Sequence, residues 1–327
     1  MTTAIAPPSP SRCDVTLQQQ IRANRVRTTF VLFGFAILVG IFAAAVYFAY
    51  QPGVAGFIGI IAIVYGIVSW FAAGAMIAAA SGAHKVTKEQ QPELYRALEN
   101  VGIAAGLAKT PDLYMIDDPS PNAFAAGRDP EHAYVAVTTG LAKMMDKREL
   151  EGVLAHEVSH IRNRDVRLMS LAAVLVGVIA LASDLLMRIT IFGGGSDERE
   201  GGLGAIGVVA GLVAAVLAPV GATLLQMSLS RRREYLADAS AVEITGDAEG
   251  LAMALAALRD DTQPLHTVTR ATAHLYIESP LRDHKGLRSS LGGMFDTHPP
   301  LEDRIAVLEK MGGFTLPAPA SQPATAQ

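Results

Sequence analysis

The chain has 327 residues, of which 50% are hydrophobic and 18% charged, and its mean hydropathy is +0.31. A water-soluble core alone does not account for so apolar a composition, so a membrane is the first environment to consider. The net charge of -4 argues against nucleic acid as a partner, because such proteins carry a basic surface. The single cysteine, Cys13, cannot form an intrachain disulfide or a cysteine cluster, so any metal must be bound through His, Asp or Glu.

Two charge-free stretches follow the N-terminal segment, Phe30 to Tyr50 and Val54 to Ala80. At 1.5 Å rise per residue, each is long enough to cross a hydrocarbon core about 30 Å thick. We therefore expect a transmembrane hairpin over residues 29–83. A cleaved signal peptide is the alternative for the first stretch, but that stretch begins late and a second span follows it at once.

A second pair of apolar stretches, Leu168 to Phe192 and Gly201 to Ser230, predicts another transmembrane or membrane-associated helix pair over residues 168–230. The first of these contains Asp184 and Arg188, whose i,i+4 spacing would let them pair on one helix face. A pair of buried soluble helices is the alternative. Whether these two stretches span the membrane fully stays open.

Lys and Arg residues near the span ends predict the orientation, because they are in excess on the cytoplasmic side. All four flanks carry them on the same side, which places both termini, and with them residues 1–28, in the cytoplasm. Arg232 and Arg233 are expected to face lipid headgroups. The flanking basic residues are Arg22, Arg25, Arg27, Lys85, Lys88, Arg162, Arg164, Arg167, Arg231, Arg232 and Arg233.

Two soluble segments, residues 84–167 and 231–315, lie between and after the spans. Helical periodicity runs over Gln90–Ala105 and Lys147–Arg167. Short strands are predicted at Leu113–Met115 and Tyr134–Val137, with residues 117–122 as the turn between them. A short helix is expected over Leu301–Met311, and residues 316–327 form a Pro- and Ala-rich tail expected to be disordered. The expected fold class is a mainly α membrane protein with about four transmembrane helices plus a zincin-like α+β metallopeptidase domain.

The second of these helical segments contains His156-Glu157-Val158-Ser159-His160, which fits the HExxH pattern of zinc peptidases. Residues four apart share a helix face, so His156 and His160 can bind one zinc ion. Zinc would polarise the scissile carbonyl and lower the pKa of a water molecule toward about 7. Glu157 would take the proton from that water and deliver it to the leaving amine.

Catalytic zinc sites usually have three protein ligands, so one more is needed. Glu234 is the best candidate, because it follows the fourth apolar stretch on the side of the membrane where His156 lies. Asp238, one helical turn later, is placed to orient a ligand imidazole. Alternatively, both carboxylates neutralise the neighbouring arginines, which would leave the zinc one ligand short.

Four motifs resemble those of the HtpX family of integral-membrane zinc metalloproteases, which are related to CAAX prenyl proteases. They are the HExxH helix, Ser230 to Asp238, Pro121 to Ala125 and Thr297 to Pro300. The resemblance implies that Glu234 is the third zinc ligand and that Asn122, Ala123 and Phe124 lie along the substrate cleft. It also implies one zinc ion per chain, a bacterial inner membrane location and cleavage of misfolded membrane proteins.

Two residues outside the core motif remain ambiguous in the sequence. Asn122 is either a turn former or a substrate-binding amide, and the resemblance favours the amide. His298 either starts a helix or acts as a catalytic group that hydrogen-bonds the oxyanion. Asn163 and Asp165 either end the catalytic helix or support a metal ligand, and the sequence does not decide between these roles.

The sequence as a whole predicts a membrane-bound zinc endopeptidase that hydrolyses internal peptide bonds. Its expected partners are unfolded or membrane protein substrates and the lipid bilayer. One alternative is a prenyl-protein processing peptidase of the CAAX type. The other is a membrane metal-binding protein without hydrolytic activity, which would have no need of Glu157 beside a metal ligand.

Overall fold

The computed structural model describes residues 52–172, 231–261, 275–277 and 299–317, together with a few isolated positions before residue 35 and Val174. Nearly all of the first predicted span and of the second apolar pair lie outside the described residues, as does His298. So do residues 318–327 of the predicted tail, whereas Leu316 donates its main-chain N–H to Glu309 at 2.7 Å.

A four-stranded mixed sheet forms the centre of the described chain. Its strands are β1 (His84–Lys85), β2 (Asp112–Ile116), β3 (Ala123–Gly127) and β4 (Ala133–Thr138), in the order β1-β2-β4-β3. β2 and β4 are parallel, and the two outer pairs are antiparallel. β3 is therefore an edge strand of this sheet, and its outer side is available for contacts with other parts of the chain.

Seven helices with assigned bounds surround this sheet within the described residues. They are α1 (Pro52–Ser81), α2 (Pro92–Ala104), α3 (Thr139–Met144), α4 (Lys147–Arg162), α5 (Arg231–Thr245), α6 (Ala248–Asp260) and α7 (Leu301–Gly312). A further helical stretch covers residues 165–172.

The predicted strands and helices are confirmed at β2, β4, α2 and α7, with ends shifted by a few residues. Two predictions were wrong in detail. The segment 117–122 does not connect β2 to β4 directly, because β3 intervenes. The helix predicted over Lys147–Arg167 ends at Arg162, and a turn at 163–164 separates it from the helical stretch that follows.

α4 is the central helix of the domain. Asp146 and Glu149 form a capping box that satisfies the first main-chain N–H groups of the helix. Every residue from Gly152 to Ile161 is buried. Gly152 allows the close approach of α6, since a Cβ at this position would lie 2.9 Å from the Leu251 backbone. Packing on all sides therefore fixes the position of the polar residues of this helix.

Two apolar clusters cover the two faces of the sheet. The larger one joins the sheet to α2, α4, α6 and α7 and includes Ala123, Ala125, Val158 and Ile277. The smaller one joins the opposite face to α1 and includes Phe124 and Tyr276. Alternate residues of β3 therefore point to opposite faces, as expected for an extended strand.

α1 coincides with the second charge-free stretch of the sequence and packs its C-terminal half on the sheet. Tyr134 donates a hydrogen bond to the Gly74 carbonyl at 3.0 Å, and the Arg167 guanidinium lies 4.3 Å from the centre of the Trp70 ring. In the part of α1 before Trp70, side chains are described only at Ile60, Val64, Ile67 and Val68, all of them exposed. No helix formed by the described residues is both long enough and apolar enough to cross a membrane.

Asp247 links the start of α4 to the start of α6 through hydrogen bonds. Its carboxylate accepts the Gly250 N–H at 3.0 Å as the N-cap of α6 and accepts two hydrogen bonds from Arg148 at 2.8 and 2.9 Å. The Arg148 hydrogen bond, outweighing partial burial, holds the pKa of Asp247 below its usual range. The carboxylate is therefore ionised, and its contribution to stability is complete, throughout the neutral pH range.

Asp247→Ala is expected to reduce the free energy of unfolding by about 1–2 kcal/mol, because the helix loses its N-cap and Arg148 loses its partner. The melting temperature of the zinc-loaded protein in detergent should fall by roughly 2–8 °C. The decrease should be equal at pH 6 and pH 8. Asp260→Ala, at the exposed end of the same helix, is the control and should change little; equal melting temperatures for all three proteins would contradict the prediction.

Candidate metal centre

Three buried side chains on two helices converge on one point. His156 and His160 come from consecutive turns of α4, and Glu234 comes from the first turn of α5. The two imidazole Nε2 atoms lie 3.2 Å apart, and the Glu234 carboxylate oxygens lie 3.7 and 3.6 Å from them. Ligand atoms about 2.0–2.1 Å from a tetrahedral zinc ion are separated by about 3.3 Å, so these three side chains fit zinc.

The charge around this point also fits a divalent cation. The buried carboxylates of Glu157, Asp165, Glu234 and Asp238 face two buried guanidiniums, Arg233 and Arg304. With both imidazoles neutral, as metal ligation requires, four negative and two positive charges leave a formal charge of -2. Uncompensated buried charge is costly, and a Zn²⁺ ion would neutralise this cluster.

Asp238 orients the first imidazole. Its Oδ1 atom lies 2.9 Å from Nδ1 of His156, and both side chains are almost completely buried. An Nδ1–H donated to this carboxylate leaves the lone pair of Nε2 directed at the metal point. Burial, helped by the charge of Arg304, lowers the pKa of His156 to about 4, so the imidazole is neutral.

Asp165 performs the same task for the second imidazole, with its Oδ2 atom 3.2 Å from Nδ1 of His160. The turn after α4 accompanies this contact: Arg164 adopts a left-handed φ of 61°, which interrupts the helix immediately before Asp165. Burial opposes protonation of His160, but the hydrogen bond with Asp165 and the charge of Glu234 outweigh it and raise the pKa to about 9. Metal binding at this imidazole therefore displaces a proton.

The side chain of Glu157 is buried beside the two imidazoles. The main-chain N–H of Ala125 on β3 hydrogen-bonds to its carboxylate. Burial nevertheless raises the pKa of Glu157 to about 7. A carboxylate with a pKa near neutrality can both accept and release a proton at physiological pH, as a general acid–base group must.

Arg304 is a site residue that the sequence analysis missed. It lies on α7 with no solvent exposure, and it donates hydrogen bonds from Nε and Nη2 to the Asp238 carboxylate at 2.9 and 2.6 Å. Its Nη1 atom lies 3.6 Å from Glu234. A sequence signal existed: Leu301, Ile305 and Leu308 form the apolar face of α7, and Arg304 lies on that same face.

The residues expected along the cleft are on or next to β3. Asn122 accepts the Ala123 N–H through its side-chain oxygen, and its main chain hydrogen-bonds to Thr138. The Ala123 carbonyl points to the outer edge of the strand, where it accepts the N–H of Ile277. The Phe124 side chain packs on the opposite face of the sheet, so it does not face the metal ligands.

The structure places one predicted headgroup-facing residue elsewhere. Arg233 is buried, with Nε 3.8 Å from Asp165, so the expectation that it faces lipid was wrong. The sequence pattern was misleading because three successive arginines after an apolar stretch suggest a membrane surface. Helix geometry instead directs the third arginine toward the buried cluster.

The site combines two imidazoles one helical turn apart, a carboxylate from a second helix and a glutamate beside the first imidazole. A zinc metallopeptidase requires this set of groups. The comparisons with known proteins give the same class. Residues 88–312 match the model of Peptidase family M48. A protease HtpX homolog of Ligilactobacillus salivarius is 42% identical over 306 residues, covering 90% of this chain and 100% of that protein.

A protease HtpX homolog of Dictyoglomus thermophilum is 41% identical over 300 residues, covering 91% of this chain and 95% of that protein. The crystal structure of Ste24p from S. mikatae aligns with a TM-score of 0.48 and 16% identity over 90% of this chain and 67% of that one. The chain belongs to peptidase family M48, among the HtpX homologues. It is a membrane zinc metalloprotease.

Arg304→Lys keeps the charge but loses the planar fork that holds Asp238, so zinc affinity should fall about 10- to 100-fold. Arg304→Met also removes the charge and should destabilise the fold by about 3–5 kcal/mol, because Asp238 stays buried without its partner. Competition with a chelator measures the first effect and thermal unfolding the second. Lys310→Gln, on the exposed side of the same helix, should match wild type; unchanged zinc affinity in both Arg304 variants would refute this role.

Proposed function

We propose that this protein hydrolyses internal peptide bonds at a zinc centre held by His156, His160 and Glu234, with Glu157 as the general base. The single observation that carries this proposal is the convergence of three ligand atoms within 4.8 Å of one another beside the buried Glu157. Asp238, Asp165 and Arg304 act as positioning residues, since they contact ligands and not the reacting atoms.

Zinc, when bound, supplies the Lewis acid that polarises the scissile carbonyl and makes a water molecule nucleophilic. Glu157 accepts the proton of the attacking water and delivers it to the nitrogen of the leaving amine. Its hydrogen bond from Ala125 fixes the carboxylate between α4 and β3. Burial excludes bulk water and so strengthens the electrostatic interactions within the site.

We place the substrate main chain along the outer edge of β3, with Asn122 and Ala123 as its contacts. Support comes from the Ala123 carbonyl, which points to this edge two residues from the Ala125 N–H that holds Glu157. An extended peptide added to an edge strand gains main-chain hydrogen bonds irrespective of its sequence. Phe124 would contribute only through its packing within the sheet, and His298 is retained as a group that could hydrogen-bond the oxyanion.

Unfolded or membrane proteins are the proposed substrates, and quality control of misfolded membrane proteins is the proposed role. An edge-strand cleft accepts only extended chains, which favours substrates that have lost their fold. The proposed topology has four spans, over 29–83 and 168–230, with the peptidase domain formed by 84–167 and 231–315 on the cytoplasmic face. The basic residues at all four flanks support this orientation.

The alternatives are less well supported. A metal-binding protein without hydrolytic activity gains nothing from a buried carboxylate beside its ligands, whereas burial of that group has a cost that catalysis explains. A CAAX-type processing peptidase uses similar chemistry, but a narrow specificity would normally require a larger enclosing bundle than four spans offer.

Glu157→Gln should retain zinc and lose cleavage of an unfolded protein by about 10²- to 10⁴-fold, because the amide cannot accept a proton. Zinc content and the cleavage rate of β-casein are measured on protein purified in detergent. Glu151→Gln, on the same helix, is the matched control and should behave like wild type. Equal cleavage by Glu157→Gln and wild type would eliminate the protease mechanism.

Glu234→Gln should lower zinc affinity by at least about 10-fold, the lower limit for residues that only support a ligand. The matched control is Glu243→Gln on the same helix, whose carboxylate pairs at the surface with Arg162. Zinc content after dialysis against a chelator distinguishes the two variants. Full zinc retention by Glu234→Gln would assign the third ligand to another residue.

A further inference from the structure

Three residues of this chain cross the outer edge of β3, and we refer to Leu275–Ile277 as the strap. The Ile277 N–H donates to the Ala123 carbonyl at 3.0 Å, as a residue of an added strand would. The Ile277 carbonyl accepts a hydrogen bond from Nη1 of Arg304 at 3.4 Å. The strap thus uses a main-chain acceptor at the edge where the proposed function places the substrate.

Side chains of the strap pack on both faces of β3. Tyr276 packs edge-on against Phe124 on the face toward α1, with ring centroids 5.0 Å apart. Ile277 lies in the apolar cluster on the face toward α4, together with Ala123. Both side chains are almost fully buried, with exposures of 0% for Tyr276 and 1% for Ile277. The contacts of the strap that resemble those of a bound peptide are therefore its main-chain hydrogen bonds and the aliphatic side chain of Ile277.

The strap lies close to the reacting groups. Ala123 and Ala125 are two residues apart on β3, so their outward main-chain groups are separated by about 6.7 Å along the strand. Ile277 bonds to the first of these residues and Glu157 to the second. A peptide lying along β3 past Glu157 therefore meets Ile277 after about two residues.

We propose that the strap is an autoinhibitory contact that substitutes for a substrate in the resting enzyme. This inference rests on the proposed function, which assigns the β3 edge to the substrate. An incoming peptide replaces Ile277 by supplying an N–H to Ala123, a carbonyl to Arg304 and an aliphatic side chain to the cluster beside Ala123. The substrates are thus extended segments with an aliphatic residue at this position, and chains without one leave the strap in place.

A reversible crosslink tests whether the strap must move. In a Cys13→Ser background, the substitutions Ala123→Cys and Ile277→Cys place two thiols in the same apolar cluster, on segments joined by a main-chain hydrogen bond. Formation of the disulfide is verified by mass spectrometry before the assay. Oxidation should reduce cleavage of fluorescein-labelled β-casein at least tenfold. Reduction with a phosphine should restore the rate, and zinc content should be equal in both states.

A matched crosslink at the other edge of the sheet is the control. Lys85 and Tyr114 are register partners on β1 and β2, and cysteines at these positions should form a disulfide without affecting cleavage. Ile277→Ala provides a second, uncrosslinked test. By weakening the strap it should raise the rate at low β-casein concentration about threefold or more, and an unchanged or lower rate would count against the proposal.

Equal cleavage by the oxidised and reduced forms of the strap crosslink would overturn the proposal and make the strap a fixed wall of the site. If none of the proteins cleaves β-casein, the proposed function is contradicted, and the strap proposal is then tested by substrate binding. In a Glu157→Gln version of the crosslinked protein, the Kd for labelled β-casein, measured by fluorescence anisotropy, should be at least tenfold higher after oxidation. Equal Kd values, or no binding in either state, would also overturn the proposal.

Discussion

The burial of opposite charges in unequal number around one point is the constraint on which the rest of this structure depends. Four carboxylates and two guanidiniums are withdrawn from water within the packed core, and they leave an excess of two negative charges. With both imidazoles neutral and Glu157 ionised, as in a metal-loaded site, a divalent cation at the point where Glu234 and the imidazoles converge would neutralise this excess. When bound, zinc would also join α4 to α5 across a long stretch of intervening sequence.

The sheet and the helices serve to hold this charged cluster. Packing against α6 and β3 fixes α4. Asp165 contacts His160 just after the left-handed Arg164, and α7 contributes Arg304. Each ligand imidazole consequently has a carboxylate on its Nδ1 atom. The edge strand β3 then provides main-chain groups directly beside the general base, so recognition of an extended chain and its hydrolysis occur in one place.

The sequence predicted those features that depend on residues close together in the chain. His156 and His160 share a helix face because of their spacing, and β2 and β4 are rich in apolar residues typical of strands. It missed β3, whose alanines and glycine carry little strand propensity and whose bounds depend on pairing with β4. Arg304 was also missed as a site residue, because its role arises from contacts across the fold. For Asp165 the sequence left two roles open, since its contact with His160 forms across a turn. The apolar face of α7 was a readable signal for Arg304 alone.

X-ray absorption at the zinc K edge of the purified, detergent-solubilised enzyme tests the central claim most directly. We expect one zinc ion per chain with two imidazole nitrogens and oxygen ligands at about 2.0–2.2 Å, and loss of the carboxylate contribution in Glu234→Gln. A third imidazole, or a sulfur ligand at about 2.3 Å, would contradict it. Either result would assign the third ligand to a residue such as His298 or Cys13 instead of Glu234.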